Sequence, residues 1–323
     1  MFDGARVLIA GGTGLIGRNL AARLAAAGAR VRATSHRTEP PAPQPGVEWM
    51  RVDLTQAVDC ARAAAGMDFV FMAAASTAGA AVMAKTPLAQ VTPNVLMNTQ
   101  MLQASWEAGV RRFCFVSSSA AYPPSGDRPV REDEMFDGDP YEAYFAVGWM
   151  KRYAEVLCRT YAERIRPAMP CLVVRPSNIY GPFDKFDPAT SHVTAALVRR
   201  VATGEDPMLI WGTGNDVRDL IYVDDFLDGM LAAFERFEGF DAVNIASGTG
   251  TRVRDVLATL LEIAGRTGVE IRYDETKPQM IPVRLIDTAR ARERYGFAAS
   301  TPLRDGLART LDWYRANRAT HTR

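Results

Sequence analysis

The sequence predicts an α/β fold: a doubly wound parallel sheet followed by a smaller C-terminal lobe. Three observations carry that expectation. Short apolar or β-branched runs alternate strictly with longer helical patterns through the first half of the chain, as parallel strands with crossover helices require. A glycine-rich turn, GGTGLIG, follows the first run directly. Beyond Asn178 the alternation loosens into loops, short strands and further helices.

Taken in order, RVLIA (6–10) is the first strand and an alanine-rich helix follows near 15–27. RVRAT (30–34) and VEWMRV (47–52) are the next strands. Between them PPAPQP (40–45) is a surface loop, because proline lacks the N–H that a ladder needs. A helix near 55–65, the strand DFVFMA (68–73), a long helix near 88–109 and the strand RFCFVSS (112–118) complete the regular pattern. A helix over 141–165 leads to CLVVRPSN (171–178). GPFDKFDPATSHV (181–193) reads as a loop, a helix follows near 193–203, and LIWGTG (209–214) ends in a glycine turn. VRDLIYVDD (217–225) is a strand entering a helix whose first turn holds two aspartates, the sign that the helix dipole favours there. Residues 1–174 are therefore expected to form the sheet domain, with 215–242 returning to it, and 175–214 with 243–323 to form the second lobe.

The 323 residues are 48% hydrophobic, enough to bury a large core. Net charge is +1, from 38 basic and 37 acidic side chains, so no broad field favours nucleic acid or an anionic membrane. An anionic ligand must be held by local charges. Cys60, Cys114, Cys158 and Cys171 show neither CxxC spacing nor a histidine cluster, which points to reduced thiols in a cytoplasmic protein with no metal site. No apolar run reaches the length of a membrane span, and Met1 leads into a strand without a leader pattern.

Gly11, Gly14 and Gly17 stand in GxxGxxG spacing between a strand and a helix that opens with Leu15 and Ile16. Absent side chains permit a tight turn and let a pyrophosphate approach backbone N–H groups, so the spacing points to a Rossmann-type dinucleotide site. At the end of the second strand, where a carboxylate would bind the ribose of NAD, the sequence has Ser35, His36 and Arg37. Donors and positive charge there favour NADP, with NAD possible; the plain alternative is that Arg37 is a solvated loop residue. Asp53, after the third strand, is expected at the adenine edge.

Together with that loop, Asp53-Leu54, AAAS (73–76), NVLMNT (94–99), SSSAAYP (117–123), the lysine-bearing helix, RPSNIYGP (175–182) and VRDLIYVDD resemble the extended short-chain dehydrogenase/reductase family. This family comprises nucleotide-sugar epimerases, dehydratases and reductases. Residues 180–200 are similar to the GDP-fucose synthases, and 59–83 to the GDP-mannose 3,5-epimerases. The resemblance implies an NAD(P) cofactor, a nucleoside-diphosphate sugar, and epimerisation or dehydration through transient oxidation of a sugar hydroxyl. Net 4-keto reduction by NADPH and a catalytically silent nucleotide-binding scaffold are the alternatives. It also implies a homodimer through the helices near 88–109 and 141–165. By the same resemblance Leu54, Ala73, Ala74 and Ala75 line the cofactor, and Asn94 supports, through water, Lys151, which binds the nicotinamide ribose. Ser118, with Ser119 second, holds the reacting oxygen. Asn178, Tyr180 and Arg200 face the sugar, and Arg218 and Arg284 the diphosphate; Tyr180 alternatively packs beneath the loop.

Two departures stand out in the stretch YFAVGWMK (144–151) and its surroundings. Four residues before Lys151, where the family has its acid/base tyrosine, stands Val147, and where the fucose synthases have a cysteine stands Ala120. A hydrocarbon side chain cannot move a proton. Tyr144 lies one turn earlier, roughly 4.5 Å further along the axis. It is either a displaced acid/base with a pKa lowered by Lys151 or a tyrosine packed at a helix start. The other candidates are Lys151, Ser118 and His192 acting directly.

Overall fold

The computed structural model describes residues 1–77, 86, 88–188, 190–277 and 280–319. Positions 78–83 of the epimerase-like stretch therefore lie outside the described residues. Seven parallel strands form the main sheet: β1 (Arg6–Ala10), β2 (Arg30–Ser35), β3 (Val47–Arg51), β4 (Phe69–Met72), β5 (Arg112–Val116), β6 (Cys171–Pro176) and β10 (Phe240–Ile245). Their spatial order is β10-β6-β5-β4-β1-β2-β3, which reverses between β1 and β4. That reversal is the crevice where doubly wound sheets take ligands.

Both faces of the central strands are covered, so β1, β4, β5 and β6 are mostly apolar, while the edge strand β3 is partly exposed. Val7 and Ile9 enter one core layer with Phe69, Phe71, Leu172 and Phe234. Leu8 and Ala10 alternate into the other with Val70, Met72, Phe113 and Phe115. The period of two follows from the pleat. The helices α1 (Leu15–Ala26), α2 (Ala57–Ala64), α3 (Leu88–Glu107) and α4 (Phe145–Glu163) cover it, α3 lying beside α4.

The second lobe is built on β9 (Val217–Tyr222), which pairs with β7 (Asn178–Tyr180), β11 (Gly250–Arg252) and β13 (Val283–Arg284). A two-stranded piece joins β8 (Met208–Trp211) to β12 (Ile271–Asp274). Here the structure corrects the expected boundary: β9 belongs to this second sheet. The return to the main domain begins at α6 (Val223–Arg236) and runs through β10 to Ile245. Helices α5 (Val193–Ala202), α7 (Val253–Ile263) and α9 (Leu303–Asn317) complete the lobe, with α9 packed on α5 and α7, whereas α8 (Ala289–Tyr295) packs back on α6 and β10 of the main domain. No helix among the described residues is long and apolar enough to cross a membrane.

Candidate cofactor and substrate site

The glycine loop leaves no room for side chains. Gly11 has φ 88°, and a Cβ there would lie 2.6 Å from the Ala74 Cα; a Cβ on Gly17 would lie 2.2 Å from the Gly11 carbonyl oxygen. Ala73 is drawn in beside them, its N–H donating to the Ala10 carbonyl at 3.0 Å. Gly14 is the N-cap of α1 and has no side chain to accept from the first turn, so the leading N–H groups at Leu15 and Ile16 have no intrahelical acceptor. The Ser35 hydroxyl, buried at the end of β2, has no hydrogen-bond partner among the described residues. A cradle without side chains, free N–H groups and a waiting hydroxyl fit the phosphates and ribose of a dinucleotide.

At the adenosine end the His36 Nε2 stands 3.8 Å from Asp53. The Thr55 amide and hydroxyl bonds hold the Asp53 carboxyl below the usual range, helped by the nearby charges of His36 and Arg37. Leu54 is buried below it. Arg51, which sequence reasoning missed, donates to the His36 carbonyl at 3.1 Å and pairs with Glu39 at 3.1 Å. Its register opposite Ser35 puts it there.

Ser118 ends the β5 segment and caps a short 3-10 turn, Ser119–Ala121, its Oγ accepting from the Ala120 N–H at 3.1 Å. Ser119 is buried in that turn. Lys151 is buried on α4; its Nζ donates to the Val116 carbonyl at 2.8 Å and lies 4.8 Å from the Phe115 ring centroid. Among the described residues no carboxylate comes within ion-pair distance of it. Burial pulls its pKa down to about 8, with the charge of Glu155 opposing. Glu155, one turn on, is taken instead by Arg175 at 2.6 Å and by the Ser117 hydroxyl. Arg175 also reaches the Tyr122 hydroxyl at 2.9 Å and the Glu132 carbonyl at 2.8 Å. This buried network beneath Lys151 was not read from the sequence; the glutamate at i+4 on the same helix was the available sign.

Several expected roles change. Tyr144 precedes α4: it closes a 3-10 turn, Glu142–Tyr144, with φ −109° and ψ 3°. The helical-face arithmetic that aligned it with Val147 and Lys151 therefore stops at Phe145. Its pKa is raised, not lowered; burial is the main cause, and the cations acting on it are Arg218 and Arg284. Tyr180 is fully buried, packed edge-on to Tyr222 and under Gly306 of α9, as in the packed alternative of its two expected places. Arg200 is spent on Glu205 and the Leu209 carbonyl, which pins the turn into β8. Asn94 keeps its place and bonds both the N–H and the carbonyl of Ser76 at 2.9 Å, fastening the end of the AAAS segment. Ala75 lies exposed in that segment.

Other candidates stay at the lobe junction. Asn178 opens β7, half-buried, and His192 is exposed at the N-cap of α5. Arg218 is buried on β9, paired with Asp216 at 3.0 Å, at one end of a narrow apolar slot lined by Val193, Leu197, Leu220 and Val256. Arg284 is buried with no carboxylate partner among the described residues; it donates to the Tyr122 and Pro123 carbonyls, its Nε is unpartnered, and burial lowers its pKa to about 10. Arg218 and Arg284 are register partners on the paired strands β9 and β13, and two neighbouring cations, one of them without a carboxylate among the described residues, suit a diphosphate.

Residues 7–246 match a family model described as the NAD dependent epimerase/dehydratase family. GDP-L-fucose synthase 1 of Arabidopsis thaliana is 31% identical over 255 residues, 77% of this chain and 77% of that one. GDP-mannose 3,5-epimerase 1 of Oryza sativa subsp. japonica is 28% identical over 317 residues, 95% of this chain and 81% of that one. Among solved structures, the UDP-glucose 4-epimerase of Thermotoga maritima with UDP-glucose superposes with a TM-score of 0.86 at 25% identity, covering 97% of this chain and 99% of its own.

Proposed function

The chain belongs to the NAD dependent epimerase/dehydratase family, and from that premise we propose that it transiently oxidises a hydroxyl of a nucleoside-diphosphate sugar, preferring NADP, to give an epimerised or dehydrated product. Similarity to enzymes named for GDP- and UDP-sugars supports the substrate class.

Lys151 carries the reading over that of a silent scaffold. Holding an amine in a low-dielectric site with no carboxylate partner depresses its pKa from 10.5 to about 8, a cost on the order of 3 kcal/mol. A scaffold gains nothing from that cost; a proton-transfer site does. With Val147 in the tyrosine position, Lys151 is the group we assign to move the proton. Ser118 holds the reacting hydroxyl, and Arg218 and Arg284 hold the diphosphate. The nicotinamide, when bound, supplies hydride acceptance and return. Gly11, Gly14 and Gly17 admit its pyrophosphate.

The test is to incubate the protein with a panel of nucleoside-diphosphate hexoses and substoichiometric NADP. Multiple turnovers with total cofactor unchanged are expected. In a parallel incubation of 4-keto nucleotide sugars with NADPH, one NADPH consumed per product would make the protein a net reductase, and no product in either incubation would make it a scaffold. For cofactor choice, Arg37→Ala is expected to weaken NADP about 10- to 100-fold while leaving NAD unchanged in fluorescence titration. Equal loss for both would remove Arg37 from the 2′-phosphate.

The assembly follows from one helix face. Phe145, Trp149, Tyr153 and Val156 are exposed along α4 at helical spacing, beside exposed Leu96 on the adjacent α3. An apolar stripe over two neighbouring helices can meet its own copy across a two-fold axis, and we assign it to a homodimer. Val156→Glu is expected to halve the mass seen in analytical ultracentrifugation; a wild-type protein that sediments as a monomer refutes the assignment.

A further inference from the structure

Arg18 follows Gly17 directly, and its own N–H donates to the Gly14 carbonyl at 3.0 Å. The side chain is half-buried. Among the described residues its guanidinium meets no carboxylate and no hydrogen-bond acceptor, and its Nε is shut off from solvent without a partner. Nearby arginines are not left this way: Arg23 pairs with Asp228, Arg32 with Glu48, and Arg175 with Glu155. Arg18 instead rests on the Phe183 ring, its Cζ 5.0 Å from the centroid.

Phe183 is itself unusual. Its φ of 69° makes it the lone non-glycine residue with a positive φ among those described, a conformation that costs on the order of 1–3 kcal/mol. The ring also meets Trp313 of α9 edge-on at 4.8 Å. Beside Arg18, Asn19 bonds the Pro182 carbonyl at 3.1 Å, so the start of α1 is fastened to the loop that carries Phe183.

A partly desolvated guanidinium without an anion is unfavourable until an anion arrives, and the glycine cradle at the start of the same helix offers only N–H dipoles to a doubly charged pyrophosphate. We propose that Arg18 binds the cofactor's pyrophosphate and, by resting on Phe183, ties cofactor binding to the seating of the 181–188 loop. This rests on the dinucleotide reading above. The ring beneath the guanidinium limits its swing into solvent, and the same contact transmits its capture to the loop.

Titration of wild type, Arg18→Met and Arg18→Lys with NAD, NADP and ADP-ribose separates the possibilities. Arg18→Met is expected to weaken all three by a similar factor, about 10- to 100-fold, and Arg18→Lys by less. Saturating ADP-ribose should also slow tryptic cleavage after Lys185 in the wild type and not in Arg18→Met. Unchanged affinities, a loss confined to NADP, or equal protection of Lys185 in both proteins would overturn the proposal. A wild type that binds none of the three would overturn the dinucleotide reading and this one with it.

Discussion

Lys151→Met is expected to fold, to bind dinucleotide, and to lose turnover by about 10²- to 10⁴-fold, the usual worth of a positioned proton-transfer group. The wild-type kcat/KM should rise with pH through about 8, because only the neutral amine accepts a proton and burial brings that form into reach. Below that pH the amine is charged; above it the rate should level. The linkage has a matching sign. The folded-state pKa lies below the ordinary lysine value of 10.5, so between about 8 and 10.5 the folded state binds fewer protons and gains stability as pH rises. Lys151→Met should abolish that gain as well as the rate limb. Tyr144→Phe should keep the limb, since the cations acting on that phenol are Arg218 and Arg284. A limb that survives in Lys151→Met but vanishes in Tyr144→Phe would return the role to the tyrosine.

The second large effect is on stability. Glu155 and Arg175 are almost wholly buried, with side chains 2% and 4% exposed, and each satisfies the other beneath the active-site helix. Glu155→Leu strands the guanidinium and is expected to cost about 3–5 kcal/mol in denaturant unfolding. The double variant Glu155→Leu/Arg175→Met should recover most of that loss, because it removes both charges together. If the double variant is as unstable as the single one, packing around Tyr122 and Asn244, not charge, holds this region.

The main sheet was legible because buried parallel strands are apolar runs of the right length, and the glycine cradle because close backbone approach needs residues without a Cβ. Strand partners were not. VRDLIY looks the same whichever sheet it joins, since a strand's residues encode its burial and leave its neighbour unspecified; β9 lies with β7 and β13. Helix starts were equally opaque: the 3-10 turn at Glu142–Tyr144 displaced a tyrosine that continuous helical geometry had put over Lys151. The surroundings of Tyr180 and Arg200 were hidden for a related reason. Their partners, Gly306 of α9 and the Leu209 carbonyl, are supplied by tertiary contacts that no local pattern announces.

The order in which these pieces leave the ribosome follows from the topology. Six strands of the main sheet are complete by Pro176, whereas the seventh waits until Ile245. The loop at 181–188 waits longer still, because the rings that grip Phe183 and Phe186 are Trp313 and Tyr314, near the end of α9. A nascent chain can thus assemble its glycine cradle well before the sugar side is closed. Synthesis runs from the glycine turn toward the helix whose rings fix the 181–188 loop.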